Sequence, residues 1–92
     1  MIRSFRHKGL KILYQRGDTF GVRADHVARL RRLLASLEVA QTPSNMDRPG
    51  YRLHLLRGKF DGFWAVSVSG NWRLVFRFIG TDVELIDYLD YH

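Results

Sequence analysis

One stretch, residues 63–78, constrains the fold of this chain more than any other because it encodes a β-hairpin. It reads FWAVSVSGNWRLVFRF, and two runs rich in β-branched and aromatic residues flank Ser69-Gly70-Asn71. Two such runs around a short turn are the sequence signal for a pair of antiparallel strands. The hairpin is therefore predicted to form the middle of an antiparallel sheet.

The two faces of this hairpin differ in chemistry, because successive side chains of a strand point to opposite faces. One parity of the second run is large and apolar: Trp72, Leu74, Phe76 and Phe78. The first run supplies a matching apolar set: Trp64, Val66 and Val68. The other parity of the second run consists of Arg73, Val75 and Arg77. We predict a sheet whose apolar face holds the fold and whose basic face carries the function.

Two helices are predicted before the sheet. Lys8–Arg16 places Leu10, Leu13 and Tyr14 on one face, and Gly17 stands where a left-handed C-terminal cap belongs. The second helix is predicted to start at Asp25 as N-cap. Its apolar stripe follows helical spacing: Val27, Leu30, Leu33, Leu34 and Leu37. Residues 1–5 are expected to form a short edge strand.

The remaining strands follow a turn-rich loop at residues 41–50, which contains both prolines. Residues 51–57 predict a strand, residues 58–62 a turn into the hairpin, and residues 83–88 a last strand. Helices followed by antiparallel strands define an α+β fold. We expect one domain, residues 1–92, with two N-terminal helices packed on the sheet.

Composition narrows the function classes. The 92 residues contain 15 Lys plus Arg against 9 Asp plus Glu, a formal charge of +6, and no cysteine. The charge surplus favours nucleic acid as a partner, although it could also serve only solubility. Disulfides and thiolate chemistry are excluded. No apolar run approaches the roughly 20 residues that cross a bilayer, and the N-terminus does not resemble a signal peptide. A cytoplasmic protein without membrane contact is expected.

Three arginines on the second helix lie away from its apolar stripe or on its flank: Arg29, Arg31 and Arg32. They are consistent either with an ordinary solvated helix face or with an RNA-docking face that contacts phosphates.

A group of residues that could carry chemistry is expected on the non-core face. His54 and Arg73 share this face in the simplest register, Arg57 and Lys59 lie near its rim, and the chain ends with His92. Imidazoles with near-neutral pKa and guanidiniums for phosphate suit a metal-free ribonuclease that activates the 2′-OH of RNA. No metal-ligand spacing is visible, and no cofactor is expected. Singly, His54 could be a surface histidine, Arg73 a structural arginine and His92 a disordered end.

The chain also resembles a known family. The segments SFRHKGLKILYQRG, YRLHLLRG, DGFWAVSVSGNWRLVFRF and YLDYH resemble the HigB toxins of the RelE-like group of bacterial type II toxin–antitoxin systems. The resemblance implies a compact α+β fold and a ribosome-dependent endoribonuclease, an mRNA interferase that cuts mRNA in the ribosomal A site and stops growth. It also implies neutralisation by a HigA-type helix-turn-helix antitoxin.

The resemblance further implies site residues. By motif, the catalytic set is His54, Arg73, Asp90, Tyr91 and His92. Phosphate or RNA contacts are expected from Arg57, Lys59 and Arg77, and ribosomal RNA contacts from Arg29, Arg31 and Arg32. The family often has lysine where this chain has Arg57, which keeps the charge but donates a proton less easily. Which of Arg57 and Lys59 contacts phosphate stays open, as does the division of acid and base work between the two histidines.

Two other functions compete with this interpretation. ParE-like proteins share the fold type and block DNA gyrase without cutting RNA, but such a toxin has no need of the histidine pair with Arg73. A non-catalytic RNA-binding domain would be expected to expose aromatic pairs on its sheet. In this chain the strand aromatics fall mostly on the core parity.

Overall fold

The predicted hairpin forms the centre of a four-stranded antiparallel sheet in the computed structural model, which describes residues 1–91. Strands β1 (His54–Leu55), β2 (Trp64–Ser69), β3 (Trp72–Ile79) and β4 (Asp82–Asp90) are hydrogen-bonded in the order β1-β2-β3-β4. The helices α1 (Lys8–Arg16) and α2 (Val27–Val39) precede them. The α+β architecture with two N-terminal helices is therefore confirmed.

The first helix has the predicted bounds, and both of its ends are capped. The His7 side chain accepts a hydrogen bond from the backbone N–H of Leu10 at 3.0 Å. Gly17 adopts φ 73°, and its N–H donates to the carbonyl oxygen of Leu13 at 2.9 Å. A left-handed residue at this place suits glycine because it has no Cβ to clash. Neither helix within residues 1–91 is long and apolar enough to cross a membrane.

The prediction that Asp25 caps the second helix is wrong. A 3₁₀ turn, Ala24–His26, precedes α2, and the Asp25 carboxylate instead accepts two hydrogen bonds from Arg23, at 3.0 and 2.9 Å. These hydrogen bonds lower the pKa of Asp25. The nearby guanidinium competes for the carboxylate that would otherwise bond to the start of the helix.

The main core lies between the two helices and one face of the sheet. Its fully buried side chains come from both helices, the predicted apolar parity of the hairpin, β4 and a 3₁₀ turn that ends at Met46: Leu10, Leu30, Leu33, Leu37, Met46, Val66, Leu74, Phe76, Val83 and Ile86. The helical spacing in α1 and α2 and the period of two in β3 thus meet in one cluster. Burial of each large apolar side chain contributes about 1.5–3 kcal/mol.

Residues 1–5 lie beside β4, at the edge of the sheet where a short strand is expected. Isolated parallel bridges join Ile2 to Val83 and Phe5 to Ile86. The N–H of Arg3 donates to the Val83 carbonyl at 2.7 Å. This segment covers the β4 edge, which would otherwise present unpaired backbone groups.

The strand predicted at residues 51–57 is much shorter than expected. Only His54–Leu55 pairs as β1, because Arg52 has φ 55°, a left-handed conformation that interrupts an extended chain. The Tyr51 carbonyl still accepts a hydrogen bond from the N–H of Ser67 at 2.7 Å. Tyr51 is therefore held against β2. The chain then turns at Arg52 before His54 joins the sheet.

The alternation of side chains predicts a basic face on the side of the sheet away from the helices. This face instead holds a second apolar cluster. Its buried members are Leu56, Phe63, Ala65 and Val75, and the half-buried side chains around them are Phe60, Leu85, Leu89 and Tyr91. A bulge in β4 contributes, since Val75 pairs with Asp87 while Arg77 pairs with Glu84. The extra residue has the unusual φ of 55° at Leu85. A bulge shifts the side-chain parity, so Val83 and Ile86 both face the main core.

Candidate active site

His54 and Arg73 lie on the same face of the sheet, the face away from the helices. His54 pairs with Ala65, which pairs with Val75, and Arg73 pairs with Ser67. Because paired residues on neighbouring strands point to the same side, these side chains share one surface. Two strand spacings and two residues separate their backbones, which is about 12 Å at standard sheet dimensions.

The His54 ring is exposed and oriented by its own chain. Its Nδ1 lies 3.0 Å from the carbonyl oxygen of Arg52. A carbonyl oxygen can only accept, so Nδ1 carries the proton in this hydrogen bond and Nε2 keeps its lone pair when the ring is neutral. The unusual left-handed turn at Arg52 brings that carbonyl within reach. This tautomer leaves Nε2 free to act as a base.

Arg73 is anchored to the hairpin turn. Its Nη1 donates to the carbonyl oxygens of Gly70, at 2.6 Å, and Trp72, at 3.0 Å. The guanidinium is therefore held in place through one nitrogen. Within the described part of the chain, Nε and Nη2 have no protein acceptor, so they can donate to an anion.

The end of the chain returns to Arg73. Leu89 is the direct partner of Arg73 across β3 and β4, and the N–H of Tyr91 donates to the carbonyl oxygen of Asn71 at 2.8 Å. The Tyr91 ring packs against Phe60 with a centroid distance of 6.1 Å. Tyr91 thus lies on the predicted face. The expected site also includes His92, which lies outside the described residues.

Asp90 occupies the opposite side of the sheet from Arg73. It pairs with Trp72, so both side chains point to the helix-facing side. The pKa of Arg23 is raised mainly by its hydrogen bond to Asp25, and the Asp90 charge adds a smaller contribution. Asp90 therefore lies near Arg23, and its expected catalytic role stays a prediction.

Arg57 and Lys59 are both exposed, and their expected phosphate contacts stay predictions. Lys59 belongs to a 3₁₀ turn, Gly58–Phe60, and its Nζ lies 5.4 Å from the Phe60 ring centroid. Lys59, Phe60 and Tyr91 line a cavity of 540 Å³ together with Leu89 and Asp90. A cation beside two aromatic rings suits a nucleotide, which has a phosphate and a planar base.

Arg77 is on the same face but has a protein partner. Its Nε donates to Glu84 Oε2 at 2.9 Å, and its guanidinium carbon lies 5.3 Å from the Phe63 ring centroid. Arg6 covers the same ring at 5.1 Å. The carboxylate offsets the Arg77 charge, so its expected phosphate contact stays a prediction. Sequence reasoning missed Arg6 and Phe60, because only folding brings the N-terminus and the turn to this face.

The three arginines of α2 have different environments. Arg29 is fixed to the fold, because Nη2 donates to the carbonyl oxygens of Gly50 at 2.8 Å and Ser67 at 3.0 Å, and its carbon lies 5.0 Å from the Tyr51 ring centroid. Arg31 donates to the Gly17 carbonyl at 3.3 Å, and Arg32 is exposed. Arg29 therefore joins α2 to the segment that leads into His54. All three ribosome contacts stay predictions.

We expect Arg29→Ala to lower the free energy of unfolding by about 1–3 kcal/mol, because it removes charged hydrogen bonds and a cation–π contact. Urea unfolding followed by circular dichroism measures the change. Arg32→Ala removes the same charge from the same helix and is expected to change stability by no more than about 0.5 kcal/mol. Equal effects of the two substitutions would contradict this assignment.

The side chains of the site are a histidine, arginines and a lysine. Within residues 1–91 no cluster of three or more His, Asp or Glu side chains forms a potential metal site. A histidine with a free Nε2, an anchored guanidinium and flanking cations can bind a phosphodiester and move protons at its oxygens.

The fold is similar to that of a bacterial toxin protein. A chain in the YoeB-YefM complex from Staphylococcus aureus superimposes with a TM-score of 0.63 at 17% identity, covering 100% of this chain and 95% of that one. At this identity the likeness concerns the fold, which is that of RelE-like toxins. The curated Endoribonuclease HigB of Proteus vulgaris is 42% identical over 92 residues, the full length of both chains.

A family model also matches the chain. The model of the HigB-like toxins, described as the RelE-like toxin of the type II toxin–antitoxin system HigB, matches residues 3–92. The chain belongs to this HigB-like toxin family, as its sequence motifs indicate.

Proposed function

We propose that this toxin is an endoribonuclease that cleaves mRNA on the ribosome and thereby stops translation and growth. The observation that carries the proposal is the shared sheet face of His54 and Arg73, to which the C-terminal strand returns at Tyr91. The endoribonuclease name of the 42% identical relative supports the same activity. Residues 1–92 act as a single toxin domain.

The proposed reaction uses the RNA itself as nucleophile. His54 Nε2 removes the proton from the 2′-OH, and the 2′-oxygen attacks the adjacent phosphorus. The bond from phosphorus to the 5′-oxygen breaks, and a general acid, assigned to His92, returns a proton to that oxygen. The products are a 2′,3′-cyclic phosphate and a 5′-hydroxyl. The Nδ1 hydrogen bond of His54 supports its role as the base.

Cations stabilise the charge that builds on phosphorus. Arg73 is preorganised by two carbonyl oxygens and donates from its remaining nitrogens to the non-bridging phosphate oxygens. Arg57 and Lys59 bind the RNA backbone on either side, and Tyr91 stacks on a base or bonds near the phosphate. Asp90 tunes its neighbours from the other side of the strand.

The proposed partners follow from membership of the HigB-like toxin family. A HigA-type helix-turn-helix antitoxin neutralises the toxin, and the ribosome presents the mRNA substrate. Arg31 and Arg32 on α2 supply contacts to ribosomal RNA phosphates, with Arg29 contributing mainly through the fold. The toxin acts in the cytoplasm, where mRNA is translated.

Mapping mRNA 5′ ends after induced expression tests the proposal. The wild-type chain is expected to create new ends within translated codons, each bearing a 5′-hydroxyl, and His54→Ala is expected to reduce them at least roughly tenfold. Addition of a translation inhibitor that empties ribosomes should remove the cuts. Growth arrest without new mRNA ends would indicate a toxin that blocks a protein target.

A further inference from the structure

A second cavity lies on the helix-facing side of the sheet, on the opposite side from the candidate active site. Its volume is 470 Å³, and Phe20, Arg23, Trp72 and Asp90 are among the residues that line it. Trp72 begins β3 and Asp90 ends β4, so the cavity opens at the end of the sheet. Arg73 follows Trp72 on the opposite face. A chain bound at Arg73 can therefore continue into this cavity.

Phe20 is the unusual feature of this cavity. The side chain is 95% exposed, although burial of a phenylalanine contributes about 1.5–3 kcal/mol. A single exposed apolar residue needs no special explanation by itself. Here the ring stands at a cavity that Trp72, Tyr88 and Arg23 also line, and the loop that carries it is fixed.

The loop is held by one side-chain hydrogen bond and one close backbone approach. The N–H of Phe20 donates to Asp18 Oδ1 at 3.0 Å. Gly21 lies so close to α1 that a Cβ on Gly9 would be 2.4 Å from the Gly21 carbonyl oxygen. Both glycines are required for this approach of two backbones. The ring is therefore presented from a rigid support, which lowers the entropy lost on binding.

The opposite side of the cavity is also preorganised. The Trp72 ring packs on Tyr88 with a centroid distance of 4.7 Å, and His26 contacts its edge at 5.6 Å. The guanidinium carbon of Arg23 lies 6.0 Å from the Trp72 ring centroid and is held there by Asp25. Aromatic and guanidinium planes stack on nucleobases, and a guanidinium such as that of Arg23 can also donate to base edges.

We propose that this cavity binds one unpaired base of the RNA substrate, next to the cleaved phosphodiester, with Phe20 as its stacking residue. The inference rests on the proposed RNA-cleaving function. A base is favoured over a protein side chain because the cavity combines aromatic planes with Arg23, adjoins the phosphate-binding face, and belongs to a chain of charge +6. Phe20 is thus a substrate-binding residue at the flanking nucleotide.

Single-turnover cleavage of one mRNA on ribosomes tests this assignment. Phe20→Ala is expected to lower kcat/KM roughly 5- to 100-fold, the range that loss of one base–aromatic stack gives. Val39→Ala is the matched control, because Val39 is 73% exposed at the far end of α2. This variant is expected to cleave as the wild type does.

An abasic scan locates the bound nucleotide. Removal of the base at one position beside the cleavage site is expected to slow the wild type as much as Phe20→Ala does, and to slow the Phe20→Ala variant no further. Wild-type rates for Phe20→Ala, or equal abasic penalties in both proteins, would overturn the proposal. Weaker neutralisation by the antitoxin with normal cleavage would overturn it in favour of a protein partner.

The same assay distinguishes failure of the proposed catalytic site. If Arg73→Ala and His54→Ala cleave normally while Phe20→Ala does not, the base cavity stands and the catalytic assignment fails. If both catalytic variants lose activity while Phe20→Ala keeps it, the catalytic site stands and the cavity binds no base.

Discussion

Replacement of Arg73 by alanine is expected to lower the single-turnover rate of RNA cleavage by roughly 10²–10³-fold, the effect of removing one preorganised donor from a charged transition state. The guanidinium is anchored at Gly70 and Trp72 before RNA binds, so it needs little reorganisation during the reaction. Cleavage of a labelled mRNA on ribosomes measures the loss. Arg73→Lys keeps the charge but loses the planar guanidinium that donates from several nitrogens. Its cleavage rate is therefore expected to lie between those of Arg73→Ala and the wild type.

Arg48→Ala serves as the matched control for charge. Arg48 is exposed in the loop before β1, and its loss changes the net charge by the same amount. This variant is expected to retain the wild-type rate within about twofold, since screening weakens distant surface charges. Thermal unfolding should show that Arg73→Ala stays folded. A folded Arg73→Ala protein that cleaves at the wild-type rate would remove Arg73 from the mechanism.

Gly9→Ala is expected to destabilise the protein by about 1–3 kcal/mol, although alanine is the better helix former. Helix propensity alone predicts a gain of about 1 kcal/mol for this change inside α1. The structure reverses the sign, because the new Cβ would lie 2.4 Å from the carbonyl oxygen of Gly21 and 2.8 Å from its Cα. For a domain of this size, the melting temperature is expected to fall by at least about 4 °C.

Two further variants make this test specific. Gln15→Ala lies in the same helix at an exposed position and is expected to change stability by no more than about 0.5 kcal/mol. Gly21→Ala places a Cβ 2.5 Å from the Gly9 Cα, so it is also destabilising. The two glycine effects should not add, because both substitutions disturb one contact. A more stable Gly9→Ala protein would show that the loop carrying Phe20 is not held as described.

Much of the fold could be predicted from local sequence patterns. The alternation in residues 72–78 placed Leu74 and Phe76 in the main core, and the helical spacing of Leu10 and Leu13 did the same for α1. Such patterns work because side-chain direction along a strand or helix depends only on position in the chain. The parity of His54 and Arg73 likewise placed both on one face, whereas their catalytic roles came from resemblance to the HigB toxins.

What the sequence by itself determined was therefore the two helices, the hairpin with its core-facing parity, and the family. The tertiary structure alone decided which distant groups meet. The bulge at Leu85 and the left-handed Arg52 changed the expected strands, Arg29 found carbonyl partners in two other segments, and Asp90 fell opposite Arg73. These outcomes depend on register and on contacts between residues far apart in the chain, which a periodic pattern does not encode.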